Sequence, residues 1–184
     1  MRCIQLSGSL EVLDQQRGRM QMRAEEEIKE VCTAFGAVAF AAQAFERQLA
    51  IALATALASG ATVKTRQQYD DLLHTYFHKT AGQLSQLVKG DEVSLVELKA
   101  EIERAVRQRN FFMHNYFWER AVQFTSSEGR ERMVNELYDA SSQFEALDNR
   151  LTALTKAWAS QRGVTEEDHL AAQEEILRGE SYPH

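Results

Sequence analysis

The sequence predicts an all-α protein: an antiparallel bundle of four principal helices, with short helices between them and a terminal helix. Only one proline occurs in 184 residues, Pro183, so nothing interrupts long helices over most of the chain. Apolar residues also recur at steps of three and four over several long stretches. The hydrophobic content of 44% is enough for one core. We therefore expect a disordered tail over residues 1–22 and a single helical domain over residues 23–179.

The first long helix is predicted from about Arg23 to Ser59, with Gly60 ending it. Its apolar residues follow the helical period, and Cys32 is expected in the core among them. These residues are Ile28, Val31, Cys32, Phe35, Val38, Ala42, Phe45, Leu49, Leu53 and Leu57.

Three further helices are predicted in the middle of the chain. A short one contains Tyr69 to Phe77, and the stretch TAGQLSQLVKG forms another that Gly90 closes. Ser94, with Glu97 three residues on, resembles a capping box at the start of a third helix. That helix is expected to continue through the stretch RQRNFFMHNYFWER at residues 107–120.

The last long helix is predicted from about Glu128 to Gln161, with Gly163 ending it. Its inner face carries Met133, Leu137, Phe144, Leu147, Leu151, Leu154 and Trp158. A terminal helix is expected from Thr165 as its cap.

Composition limits the function classes. The formal net charge of -6 argues against broad electrostatic adhesion to nucleic acid, which needs many cations facing phosphates. A local basic site is still expected, because Arg104, Arg107, Arg109 and Arg120 cluster in sequence. Any contact with nucleic acid should therefore be local.

The remaining sequence signals predict a soluble cytoplasmic protein without a membrane segment, metal or cofactor. Two cysteines without metal-type spacing fit a reducing compartment. The first residues lack the order of a signal peptide, and no apolar run suggests a membrane span. Asp70, His74 and His78 share one helical face, but no further ligand is evident nearby, so metal binding is not expected.

The stretch 107–120 mixes aromatic residues with polar groups that carry chemistry. Asn110 and His114 are neighbours on a helix, and Arg107 falls on the same face about two turns before His114. Arg109 interrupts an apolar stripe of Leu98, Ile102, Val106, Met113 and Tyr116. Because burying a guanidinium is costly without an anion, Arg109 needs a carboxylate or a phosphate.

The aromatic residues leave little polar surface on this helix, which indicates burial on more than one side. They are Phe111, Phe112, Tyr116, Phe117 and Trp118. They are expected to be mainly packing residues. One side faces the core of the chain, and the other suits a second copy of it.

The order Arg109-Asn110-x3-His114 resembles the R-x4-6-H motif of the HEPN superfamily of all-helical proteins. The extension His114-Asn115-Tyr116 is similar to the R-x4-H-x-Y form of HEPN toxins that pair with nucleotidyltransferase-type antitoxins. Arg107-x6-His114 also fits the looser spacing, although Arg109 is preferred because Asn110 follows it. The resemblance in helical layout covers roughly residues 25–160.

The resemblance implies a metal-independent endoribonuclease, a toxin or defence effector, that works as a homodimer on RNA. Its catalytic residues would be Arg109, Asn110 and His114. Histidine can transfer protons near neutral pH, and arginine can hold a phosphate. Arg107 is a supporting candidate, and Tyr116 would contact RNA or accept a regulatory modification. Phe112 and Trp118 are expected at the dimer interface.

The alternative is a non-catalytic helical module that dimerises or binds RNA without cutting it. His114 would then be a structural histidine, and Arg109 would pair with a carboxylate such as Glu46 on the first long helix. The catalytic hypothesis requires an accessible His114, whereas the structural one allows an enclosed side chain.

Overall fold

A computed structural model of the chain describes residues 4–59, 65–88 and 93–163, together with 167 and 178; side chains at 4–14, 59, 93 and 94 are not described. Every regular element in these ranges is helical, so the all-α class is confirmed. The elements are α1 (Ile4–Ser59), α2 (Arg66–Phe77), α3 (Ala81–Leu87), α4 (Val93–His114), α5 (Tyr116–Glu119), α6 (Ala121–Phe124) and α7 (Ser127–Ser160).

The helix ends follow local sequence signals. Thr65 and Thr80 each form a capping box, at α2 and α3, with a glutamine three residues on. The chain turns after α7 at Gly163, whose φ of 82° is the left-handed conformation that glycine adopts most easily. The predicted Ser94 cap is wrong, because α4 already includes Val93. The predicted helix from Thr165 and the closing Gly90 lie outside the described residues.

The first helix is longer than the sequence predicted. α1 begins at Ile4 instead of about Arg23, so residues 4–22, expected as a tail, continue the helix. The side chains from Gln15 to Arg23 are all exposed, so apolar burial does not hold this end. Its Gln, Arg and Met residues favour helix, and a helix already started by a packed segment extends at little cost.

The chain divides into two compact units. Unit 1 comprises Met1–Ala42 and Arg107–Phe144, and unit 2 comprises Gln43–Val106 and Glu145–His184. α1, α4 and α7 each contribute to both units. The single domain over residues 23–179 stays a prediction.

Unit 1 buries apolar side chains from α1, α4, α5 and α7. The largest are Val31, Val38, Phe112, Tyr116, Met133, Leu137 and Phe144. The prediction that Cys32 lies in the core is wrong, because its side chain is exposed. Each helical residue turns by about 100°, and Cys32 follows Val31, which is fully buried. It therefore lies just outside the apolar stripe.

Unit 2 buries a separate set of apolar side chains. Phe45, Leu49, Leu53, Leu84, Leu95, Leu98, Ile102, Leu147 and Leu151 are among its buried residues. Thr55 and Tyr69 are joined by a hydroxyl-hydroxyl hydrogen bond of 2.9 Å, and Gln48 donates to the Thr155 hydroxyl at 3.2 Å. Most positions predicted to be apolar and inward on these helix segments are confirmed.

By length and composition alone, α1 is apolar enough to cross a membrane. The candidate stretch lies within Gln15–Ala58, and a third of its most apolar window is buried in the protein. The expectation of no membrane segment stays a prediction. The core helix of a soluble protein passes the same test, so the finding does not place the chain in a membrane.

A nearly buried ion pair joins α1 to the start of α7 in unit 1. The Glu27 carboxylate accepts hydrogen bonds from Arg130 Nη2 at 2.7 Å and from Ser127 Oγ at 2.7 Å. Arg130 Nη1 also donates to the carbonyl oxygen of Phe124 at 2.9 Å. The hydrogen bonds that Glu27 accepts from Ser127, Arg130 and Arg23 lower its pKa from 4.5 to about 2.

The corner between α6 and α7 requires a glycine at position 129. A Cβ atom there would lie 1.9 Å from the carbonyl oxygen of Gln123, far inside contact distance. The Gly129 N–H donates to Ser126 Oγ at 3.1 Å, which satisfies one free donor of the first turn of α7.

We expect Gly129→Ala to lower the free energy of unfolding by about 3 kcal/mol, because the clash is with backbone that cannot rotate away. Gly36→Ala is the control: nothing lies within 4 Å of its Cβ position, so alanine should raise helix stability. Urea unfolding followed by circular dichroism measures both. A Gly129→Ala protein as stable as the parent would contradict the close approach.

We expect Glu27→Gln to destabilise the protein at neutral pH. The difference in unfolding temperature between the variant and the parent should shrink as pH falls. The folded-state pKa of Glu27 is lowered. Its carboxylate therefore makes its full contribution to the free energy of unfolding above pH 4.5 and loses it toward pH 2. Glu26→Gln, on an exposed neighbour, is the control. Thermal unfolding between pH 7 and pH 2 measures it, and a pH-independent difference would count against the ionised contact.

Candidate functional site

The motif lies at a joint between helices, and not within one continuous helix as predicted. α4 ends at His114, and Asn115 leaves α geometry with φ -125° and ψ -17° before α5 begins. The backbone chain of hydrogen bonds nevertheless continues, from Asn115 N to Phe111 O and from Glu119 N to Asn115 O, both at 2.9 Å. The aromatic residues after His114 are therefore rotated relative to those before it.

Aromatic rings pack around this joint in unit 1. Tyr116 lies 5.2 Å from Phe112 and 6.1 Å from Phe35, between ring centroids, and Phe35 lies 4.9 Å from Phe117. Phe112 is buried, so its predicted place at a dimer interface is corrected to a core position. The apolar stripe of α4 thus continues through Phe112, while Met113 is only half-buried.

Tyr116 is a packing residue with a bound hydroxyl. It is 1% exposed, and its Oη donates to the Met133 carbonyl oxygen at 3.2 Å. Burial raises the pKa of Tyr116, and the Glu136 carboxylate at 3.4 Å raises it further, so the hydroxyl stays protonated. The predicted RNA contact or modification is corrected, because the side chain is enclosed.

Arg120 is neutralised by Glu136. Its Nε and Nη2 atoms donate to the two carboxylate oxygens at 2.8 and 2.7 Å, a bidentate pair. The guanidinium also lies 5.4 Å from the centre of the Phe111 ring. The hydrogen bonds to Glu136 raise the pKa of Arg120. Arg120 is therefore not available as part of the expected basic site, and nothing in the sequence pointed to Glu136.

The three predicted catalytic residues lie at the C-terminal end of α4. Asn110 and His114 are exposed and one turn apart, while Arg109 is half-buried and donates from Nη1 to Asn110 Oδ1 at 3.2 Å. His114 thus meets the accessibility that the catalytic hypothesis requires. The hydrogen bond brings the Arg109 guanidinium to Asn110, which is itself a neighbour of His114.

Arg107 shares the face of His114 more closely than Arg109 does. At about 100° per residue, positions 107 and 114 differ by about 20° around the axis, whereas 109 and 114 differ by about 140°. Arg107 is also exposed. Within one chain, Asn110 therefore lies one turn before His114 on the same face and Arg107 about two turns before it, while Arg109 contacts this face through its hydrogen bond to Asn110.

An open groove of about 520 Å³ lies beside the motif in unit 1. Gln108 and Gln143 form a 2.9 Å hydrogen bond there, and Phe111 forms part of the apolar wall. Arg132, Asn135 and Asp139 add polar groups of both signs. The sequence did not indicate this groove, because its residues from α7 carry no motif.

Three large apolar side chains, those of Phe117, Trp118 and Val122, are exposed in the short helices after the joint. Trp118 is 85% exposed and Val122 is 84% exposed, four residues apart. Trp118 is therefore free within the chain to take part in the predicted interface. No group of three or more potential metal-ligating side chains occurs in the part of the chain that the structure describes.

The comparisons with known proteins add no family assignment. No family model, no curated protein and no solved structure matches this chain.

Proposed function

We propose that this protein is a metal-independent endoribonuclease of HEPN type that acts as a homodimer. The observation that carries the proposal is the exposed face of α4 on which His114 follows Asn110 by one turn, with Arg109 hydrogen-bonded to Asn110. Proton-transfer and phosphate-binding groups thus occur together on an accessible surface. The HEPN-like arrangement of four antiparallel helices is part of the proposal.

The proposed reaction uses the 2'-hydroxyl of RNA as the nucleophile. Its oxygen attacks the adjacent phosphorus while one imidazole accepts the hydroxyl proton. The bond from phosphorus to the 5'-oxygen breaks, and a second imidazole donates a proton to that leaving oxygen. The product is a 2',3'-cyclic phosphate, and an arginine stabilises the charge on the phosphate oxygens. The active site provides one His114 per chain, so a dimer provides both groups.

The biological role in the proposal is that of a cytoplasmic toxin or defence effector. A nucleotidyltransferase-type antitoxin is the proposed partner, because the order of Arg109, His114 and Tyr116 resembles toxins that pair with such proteins. The net charge of -6 is consistent with contact to RNA through a small site and not through a broad surface.

We expect His114→Ala and Arg109→Ala each to reduce RNA cleavage to background. The first variant removes the proton-transfer group and the second removes the phosphate anchor. The assay follows a defined RNA in excess chelator, detects the 2',3'-cyclic phosphate and uses the matching DNA as a substrate that should resist. His74→Ala is the control, since this exposed histidine lies on α2.

Arg107→Ala in the same assay identifies the arginine that holds the phosphate. Full activity in this variant keeps Arg109 in that role, whereas loss only in Arg107→Ala assigns the role to Arg107 and the looser spacing. Cleavage at the parent rate by folded His114→Ala protein would rule out the catalytic proposal. Circular dichroism verifies that each variant is folded.

We expect Trp118→Asp to split the dimer and stop cleavage, because a charge at an apolar contact loses its hydration when the contact forms. Trp118 is exposed within the chain, so this change should leave the helices intact, unlike one at the buried Phe112. Light scattering measures the mass, and Trp118→Phe is the control. A folded monomer that cuts RNA as fast as the parent would rule out a composite site.

A second candidate function is a non-catalytic interaction module. The exposed pair Trp118 and Val122 favours it, because large apolar side chains in solvent commonly mark an interface. A parent protein that dimerises, or binds RNA, and leaves RNA intact would support this function over cleavage.

A further inference from the structure

Two histidine rings meet at the C-terminal end of α2, in unit 2. His74 and His78 are both exposed, and their Nε2 atoms lie 3.3 Å apart. The ring centroids are 4.6 Å apart and the ring planes are inclined by 68°, so the rings meet edge to face. The proposed RNA-cleaving site uses neither side chain.

The separation of the two nitrogens fits two ligands of a single metal ion. Zn²⁺ binds imidazole nitrogen at about 2.0–2.1 Å, and two nitrogens at a tetrahedral ion are then about 3.3 Å apart. Residues four apart on a helix lie on one face. Small rotations of the two side chains can therefore direct both Nε2 lone pairs at one ion, which would replace the hydrogen bond between the rings.

The surroundings of the pair favour a cation. His78 is the C-cap residue of α2, next to the last carbonyl groups, where the helix dipole is negative. Asp70 lies one turn before His74, and its contact with Arg66 is long, at 3.9 Å. In the described ranges no third ligand joins the pair, and water can fill the remaining coordination positions.

We propose that His74 and His78 form a surface site for a divalent transition-metal ion of the Zn²⁺, Ni²⁺ or Cu²⁺ class. The ion is bound by two neutral imidazole nitrogens. Imidazole ligands suit these ions, whereas Mg²⁺ and Ca²⁺ require oxygen ligands and are excluded. The site is independent of RNA cleavage and of the HEPN resemblance.

The test is a calorimetric titration of untagged protein with Ni²⁺ and Zn²⁺. A Cys3→Ser, Cys32→Ser background removes thiol ligands. We expect one ion per chain and no binding of Mg²⁺. His74→Ala and His78→Ala should each weaken binding at least about tenfold, the loss that even outer-shell changes cause. His114→Ala is the control and should bind as the parent does.

Nuclear magnetic resonance of the parent locates the ion without any change in the pair. Substoichiometric Ni²⁺ should broaden the ring signals of His74 and His78 first and leave those of His114 sharp. Absence of binding by the parent, unchanged affinity in both alanine variants, or earlier broadening at His114 would each overturn the proposal.

Discussion

Tyr116 is held in unit 1 between a backbone carbonyl and a carboxylate, and the position of the candidate site depends on it. Its ring fills the core while its hydroxyl bonds to Met133 O, so the chain must turn inward immediately after α4. Asn115 supplies that turn with a conformation outside the α region. His114 is consequently the last residue of α4 and stays in solvent, although large aromatic residues surround it in sequence.

Two arginines of unit 1 form ion pairs with carboxylates of other helices. Glu27 on α1 binds Arg130, and Glu136 on α7 binds Arg120 with bidentate geometry. The cluster of arginines in the sequence therefore predicts more positive surface than the folded chain has, because Glu136 on α7 neutralises Arg120. Asn110 and Arg107 stay exposed on the same face of α4 as His114. The chemistry that this face can perform depends on a few placed groups, and the overall charge contributes little to it.

The helical class, the end of α1 and both bounds of α7 could be predicted, because apolar spacing is a local signal, whereas the start of α1 and the end of α4 differ from the prediction. Gly163 follows the end of α7, as the sequence predicted. The joint at Asn115 could not be predicted, since the burial of Tyr116 decides it and a single sequence does not show tertiary contacts. Phe112 and Met113 differ by one step around the helix, so the pattern alone did not determine which is buried. For the candidate site, the sequence showed which residue types occur, but it did not show that Glu136 pairs with Arg120.

Two parts of the long helix α1 differ in local stability. Beyond Arg23 its side chains enter packed cores, whereas the turns from Gln15 to Arg23 bury none. Such turns open by local fraying, so their backbone amides exchange hydrogen with water without unfolding of the core. Amides near Val31 and Val38 exchange only when larger parts of the protein open. A gradient of amide protection along one unbroken helix therefore follows from where its contacts begin.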